Sequence, residues 1–159
     1  MKTRFFLIVL TLLILLTSCS AGSRDIFDFA EHDATFTLTF SSEMGEIVCD
    51  CTRAGEKITA EITSPERSRG IRIISGGGGT VIIADGVQIP LSNDAAERFT
   101  VLFDVMFRGS DGAEIRMSAD GEFTEAVYED GILTLSREGL PVSVNVGRAV
   151  KISNYNAQK

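Results

Sequence analysis

Two thiols stand two residues apart in Cys49-Asp50-Cys51, and they open three chemistries: buried reduced thiols acting as small apolar residues, a strained redox-active bridge, or metal ligation. In a regular strand such residues sit about 6.6 Å apart at Cα with side chains that do not converge, so a bridge requires a bulge. Zinc wants four ligands and His32 is the only histidine, so neither a metal nor another cofactor is expected. His32 lies between Glu31 and Asp33, which suits a charged loop or helix end. No Gly-x-Ser-x-Gly elbow accompanies it, so a Ser-His-Asp hydrolase is not expected. Glu122, Glu125, Glu129 and Asp130 could pair carboxylates for glycoside or metal work, but hairpin tips and outward strand faces collect charge. We expect solvated surface there, with Glu125, in phase with Phe123 and Val127, the one to check for burial. Asp111 and Asp130 lack the ligand loop of a calcium site. Gly76 to Gly79 lack the Lys-Ser/Thr of a phosphate loop and read as a hairpin tip. No enzyme is expected.

The third thiol, Cys19, has a different setting. Lys2 and Arg4 precede an apolar run from Phe5 to Leu16 interrupted only by Thr11, which is shorter than the roughly 20 residues that cross a bilayer core. The end of that run and the three residues after it, Leu16-Thr17-Ser18-Cys19, resemble the lipobox of bacterial lipoproteins. That resemblance implies a signal peptide over 1–18, a thioether from Cys19 to diacylglycerol, and cleavage just before Cys19. Two or more acyl chains would hold the protein at a membrane, where one alone anchors reversibly. The tether over 19–24 is short, so the domain should sit close to the bilayer. Ser20 in place of an aspartate implies outward sorting in a cell with two membranes. The expected location is the cell membrane or outer membrane, on the extracytoplasmic side.

Of 159 residues, 44% are hydrophobic and 23% charged, enough for one packed domain over 25–159. The whole chain carries a formal charge of −7, and loss of Lys2 and Arg4 leaves 13 basic against 22 acidic residues, a balance of −9. Such a surface argues against nucleic acid as a partner and against lying flat on anionic lipid.

Ile26, Phe27, Phe29 and Ala30 are spaced for a short amphipathic helix between Arg24 and Ala34. Phe36, Leu38 and Phe40 then alternate with threonines, and period-two strands follow at 46–52, 57–63, 71–75 and 80–84. Ala95, Phe99, Leu102, Phe103 and Met106 place a helix over Asp94 to Phe107. Strands resume at 113–118, 122–128, 132–137, 142–146 and 150–153. The expected class is mainly β (α+β): a curved antiparallel sheet or half-barrel of about nine or ten strands with one main helix across its concave face.

This order of elements, with Ser64-Pro65-Glu66-Arg67, Asp85-Gly86 before the helix and Glu138-Gly139-Leu140-Pro141, resembles the LolA/LolB-type lipoprotein carriers. Members are half-barrels closed by helices, and their interior takes acyl chains. This chain is short and shows one evident mid-chain helix where the carriers have more lid. The resemblance implies an interior lined by Phe36, Leu38, Phe40, Ile58, Ile62, Phe99, Leu102, Phe103 and Met106, binding a lipid or lipoprotein acyl chain as carrier or sensor. The same residues also make an ordinary filled core, in which case the domain would act on an envelope protein partner through a sheet edge or its acidic surface.

Overall fold

In the computed structural model, residues 26–42, 45–77, 79–91 and 93–158 are described; the expected signal peptide, Cys19 and the expected tether lie outside them. A 3-10 turn at Asp28–Glu31 leads into β1 (Asp33–Ser42), β2 (Gly45–Ala54), β3 (Lys57–Ser64), a second 3-10 turn, β4 (Arg72–Gly76), β5 (Gly79–Ala84) and β6 (Val87–Pro90). The helix α1 (Asn93–Phe107) follows, then β7 (Glu114–Met117), β8 (Phe123–Val127), β9 (Ile132–Ser136), β10 (Pro141–Asn145) and β11 (Ala149–Gln158).

The strands form one antiparallel sheet in the order β6-β5-β4-β3-β2-β1-β11-β10-β9-β8-β7. Two meanders, β1 to β6 and β7 to β11, are therefore joined where the first strand meets the last, Leu38 opposite Ile152 and Phe40 opposite Val150. The helix links the two outer edges of this sheet. Phe99 near its start meets Phe40 at 6.5 Å between rings, and Phe107 at its end meets Phe36 at 5.8 Å, so α1 lies along β1 and antiparallel to it. It also touches β4 and β5 on one flank and β9 and β10 on the other. In a flat sheet β5 would stand about 19 Å from β1 at ~4.8 Å per strand, out of reach of a helix about 10–12 Å across. The sheet must curl around the helix. Register shifts at Thr35/Thr37, Val48/Cys49 and Pro141/Ser143 supply local bends.

Directly opposed residues share a face. Phe36, Cys51, Ala60 and Ile73 form one inward row across β1 to β4. Phe40, Val150, Val144 and Leu133 form another across β1, β11, β10 and β9. Beneath α1 these rows meet Leu102, Val105 and Met106, and Leu38, Val105, Met106, Leu133, Leu135 and Val144 are fully buried. Gly131 belongs to the same packing: a Cβ there would stand 2.8 Å from the Asn145 carbonyl oxygen and 2.9 Å from the Val146 side chain. Every described residue of this core and its margin lies between Ile26 and Tyr155, within 20–159.

Two expectations are corrected. The strand count among the described residues is eleven, not nine or ten, because Asp85-Gly86 does not lead to the helix. Both residues have positive φ, 50° and 78°, the backbone of a two-residue hairpin, and the chain turns back to pair Val87 with Ala84 as β6. The expected helix near residues 24–34 is a 3-10 turn of four residues, and Asp33 already begins β1. Arg53 on β2 stops it, donating from Nη1 to the carbonyl oxygens of Ala30 (2.5 Å) and His32 (3.0 Å) that a longer helix would use internally. Among the described residues no helix is long and apolar enough to cross a membrane.

Candidate functional site

The first half of α1 leaves open space on its β10–β11 side. Phe40 from the end of β1, Val150 from β11, the connecting turn Val146-Gly147-Arg148, and Arg98, Phe99 and Leu102 from α1 enclose a groove of about 540 Å³. That size falls in the ~300–1,000 Å³ range of small-molecule clefts. Local rules build each wall. Phe40 ends the inward period of β1, and Phe99 and Leu102 are three apart on one helix face. Gly147, at φ 86°, allows the short reversal that raises Arg148 over the rim. Phe99 leans on Phe103 at 6.5 Å while its other side meets Phe40, so the aromatic wall is held at two points.

The structure divides the nine residues that the resemblance implies as lining. Phe40, Phe99 and Leu102 come together in the groove. Phe36, Leu38 and Met106, at 2%, 0% and 0% exposed, are packed core. Ile58 and Phe103 line a second hollow of about 530 Å³ on the opposite flank of α1, bordered by Arg53, Glu56, Ser75 and Asp104 and more polar in its walls. Ile62 packs at the core margin opposite Cys49. The interior under the centre of the helix is thus filled, and open space remains at its flanks. Arg98, Val146, Arg148 and Val150 were not singled out from the sequence. Val146 and Val150 carried a signal as apolar ends of successive strands, whereas nothing local distinguishes Arg98 or Arg148 from surface charge.

The residues considered for chemistry are dispersed. Cys49 and Cys51 are free and buried, facing Leu38 and Phe36 across β1. The Cys51 thiol donates weakly to the Cys49 carbonyl oxygen at 3.8 Å. Burial, then the nearby Asp50 carboxylate, pushes the Cys49 thiol up to about 11; burial raises Cys51 further. Both are poor nucleophiles at neutral pH. His32 sits 3.4 Å from Asp28 at the surface, and Glu125 is half-buried opposite Arg116. Glu122, Glu129 and Asp111 are exposed, and among the described residues no three His, Cys, Asp or Glu side chains converge. Asp130 is engaged structurally. Arg108 binds its carboxylate at 2.5 Å and also binds Asp104, with the guanidinium 5.0 Å from the Tyr128 ring centre. These hydrogen bonds raise Arg108 and hold Asp130 below the usual carboxylate range.

The buried acids define an alkaline limit. Burial raises Tyr155 to about 12, alongside Cys49 at about 11. Between about pH 9 and pH 12 the unfolded chain loses these protons before the folded one, so stability is complete below about pH 9 and falls as pH rises through that window. We expect the melting temperature of 20–159 to decline there. A thiol reagent at pH 8 should find no reactive cysteine in the native protein and two after denaturation. Rapid native labelling at pH 8 would contradict this burial.

The chain matches no family model and no curated protein sequence. Among solved structures it is similar to a LolA superfamily protein from Nitrosomonas europaea, with a TM-score of 0.44 and 12% identity over 86% of this chain and 94% of that one. At that level it is a likeness of general outline only.

Proposed function

We propose that this chain is an exported lipoprotein, anchored through Cys19, whose domain binds one hydrophobic chain, of a lipid or of a lipoprotein acyl group, in the groove between the first half of α1 and the β10–β11 side. The observation that carries the reading is the groove itself: Phe40, Phe99 and Val146 line it with partly exposed apolar surface, over the buried Leu102 and Val150. An uncovered apolar cleft of this size is a site for a ligand more readily than for water. The lipobox-like Leu16-Thr17-Ser18-Cys19 supports placing the domain on the extracytoplasmic side of a cell membrane or outer membrane, beside a source of such ligands. The role is binding, as carrier or sensor, rather than catalysis.

Native mass spectrometry of 20–159, exported without its anchor, tests this. A co-purifying lipid at one per protein is the expected result, and a clean apo mass from well-folded protein would overturn it. A second reading has a specific observation behind it. The outer strands β6 and β7 are open edges carrying exposed Val87, Ile89, Ile115 and Met117, the last 74% exposed. An envelope protein could add a strand there.

A further inference from the structure

The apolar wall of the groove ends at two guanidinium groups, Arg98 on α1 and Arg148 in the β10–β11 turn. Arg53, Arg69, Arg108 and Arg116 are all engaged by carbonyl or carboxylate oxygens. Among the described residues Arg67, Arg72, Arg98, Arg137 and Arg148 have no side-chain hydrogen bond or ion pair although the chain is strongly acidic, and of these five only Arg98 and Arg148, both exposed, border the groove. Asp94 stands one helical turn before Arg98, at a spacing where ion pairs form readily. Asp94, Glu97 and Arg98 itself border an adjoining hollow, yet no pair is made. Two cations without an ion-pair partner thus border an apolar groove, one of them with acidic neighbours.

We propose that Arg98 and Arg148 receive the oxyanion head of a single-chain amphiphile, a carboxylate or a phosphate monoester, whose alkyl tail lies along Phe40, Phe99 and Leu102. This rests on the groove being the ligand site, and it names the class of ligand. Guanidinium forks match both heads, with short charge-assisted hydrogen bonds. Asp94, Glu97 and the net negative charge disfavour a small free anion, so head and tail must act together.

The test is displacement of the uncharged fluorophore N-phenyl-1-naphthylamine from 20–159 by dodecanoate, dodecyl phosphate and dodecanol, with inorganic phosphate as a fourth competitor. The expected result is that at least one of the two anionic amphiphiles displaces the probe at roughly tenfold or lower concentration than dodecanol, while inorganic phosphate displaces none. Which of the two does so identifies the head. The double variant R98Q/R148Q alters exposed positions and should fold normally. It should bring the anions to the level that dodecanol has in the same variant. Equal displacement by all three amphiphiles in the native sequence, or an anion preference that survives in R98Q/R148Q, overturns the head site while leaving the groove reading intact. Displacement by inorganic phosphate alone also overturns it. Failure of all three amphiphiles to displace the probe, or of the probe to bind folded protein, removes the groove reading and this proposal with it.

Discussion

Phe36→Ala is expected to cost the domain about 3–5 kcal/mol, a third or more of the stability of an ordinary domain of this size. Phe36 is 2% exposed on β1 and its ring meets aromatic rings from two other parts of the chain. Its ring stacks on Tyr155 of β11 at 5.8 Å and 19°, and meets Phe107 at the end of α1 at 5.8 Å and 56°. Tyr155 in turn meets Phe29 edge-on at 5.8 Å and donates its hydroxyl to the Phe29 carbonyl oxygen at 3.1 Å. Arg53 lies 4.4 Å over Phe107 while it holds the carbonyls of Ala30 and His32. Removing the ring leaves a cavity where β1, β11, α1 and the N-terminal turn converge. The β1–β11 pairing depends on that convergence, because a register shift and Asn154 at φ 54° weaken the ladder beside it. Urea unfolding should show a lower midpoint at unchanged slope. Phe123→Ala, at a position 42% exposed, should stay within about 0.5 kcal/mol of the native sequence. A loss below about 1 kcal/mol for Phe36→Ala would mean that the aromatic cluster does not hold the two meanders together.

Phe99→Asp is expected to abolish retention of a bound lipid, weakening it about 100-fold or more, while the protein stays folded. The substitution removes an aromatic wall worth about 1.5–3 kcal/mol of apolar burial and sets a carboxylate against the alkyl chain. Phe99 is only half-buried at the groove, so its replacement can reach water, and a stability loss of about 1–2 kcal/mol is expected. Phe103→Asp is the contrasting case. Phe103 faces the other flank and is 5% exposed, so an aspartate there would be a buried, unpaired charge that unfolds the protein and says nothing about the ligand. Native mass spectrometry of Phe99→Asp beside its melting curve separates the two effects. Full lipid occupancy in a folded Phe99→Asp protein would remove the groove as the site.

Legibility in the sequence tracks how local each decision is. The alternation of Phe36, Leu38 and Phe40 with threonine marks a half-buried strand whatever its partner, and Ala95 to Met106 repeat at helical spacing. The element between Asp85-Gly86 and α1 was missed because Val87 to Pro90 is too short for periodicity to register. Only the hairpin geometry of the turn discloses it. The nine residues implied as lining fall into packed core, core margin, groove and second hollow, because an apolar period does not tell which inward residue the helix covers.

The sequence by itself determined the class of the domain, the position of the long helix α1 and the acidic balance of the chain. Each of these is set by composition or by a period within a few residues. Tertiary structure alone decided that β1 pairs with β11, that α1 lies along β1, and that Arg98 and Arg148 border one groove. Those outcomes depend on contacts between residues far apart in the chain, Asp33 with Gln158 at the extreme. A repeating pattern specifies which face of a strand is buried but leaves its partner to be chosen by packing of the whole.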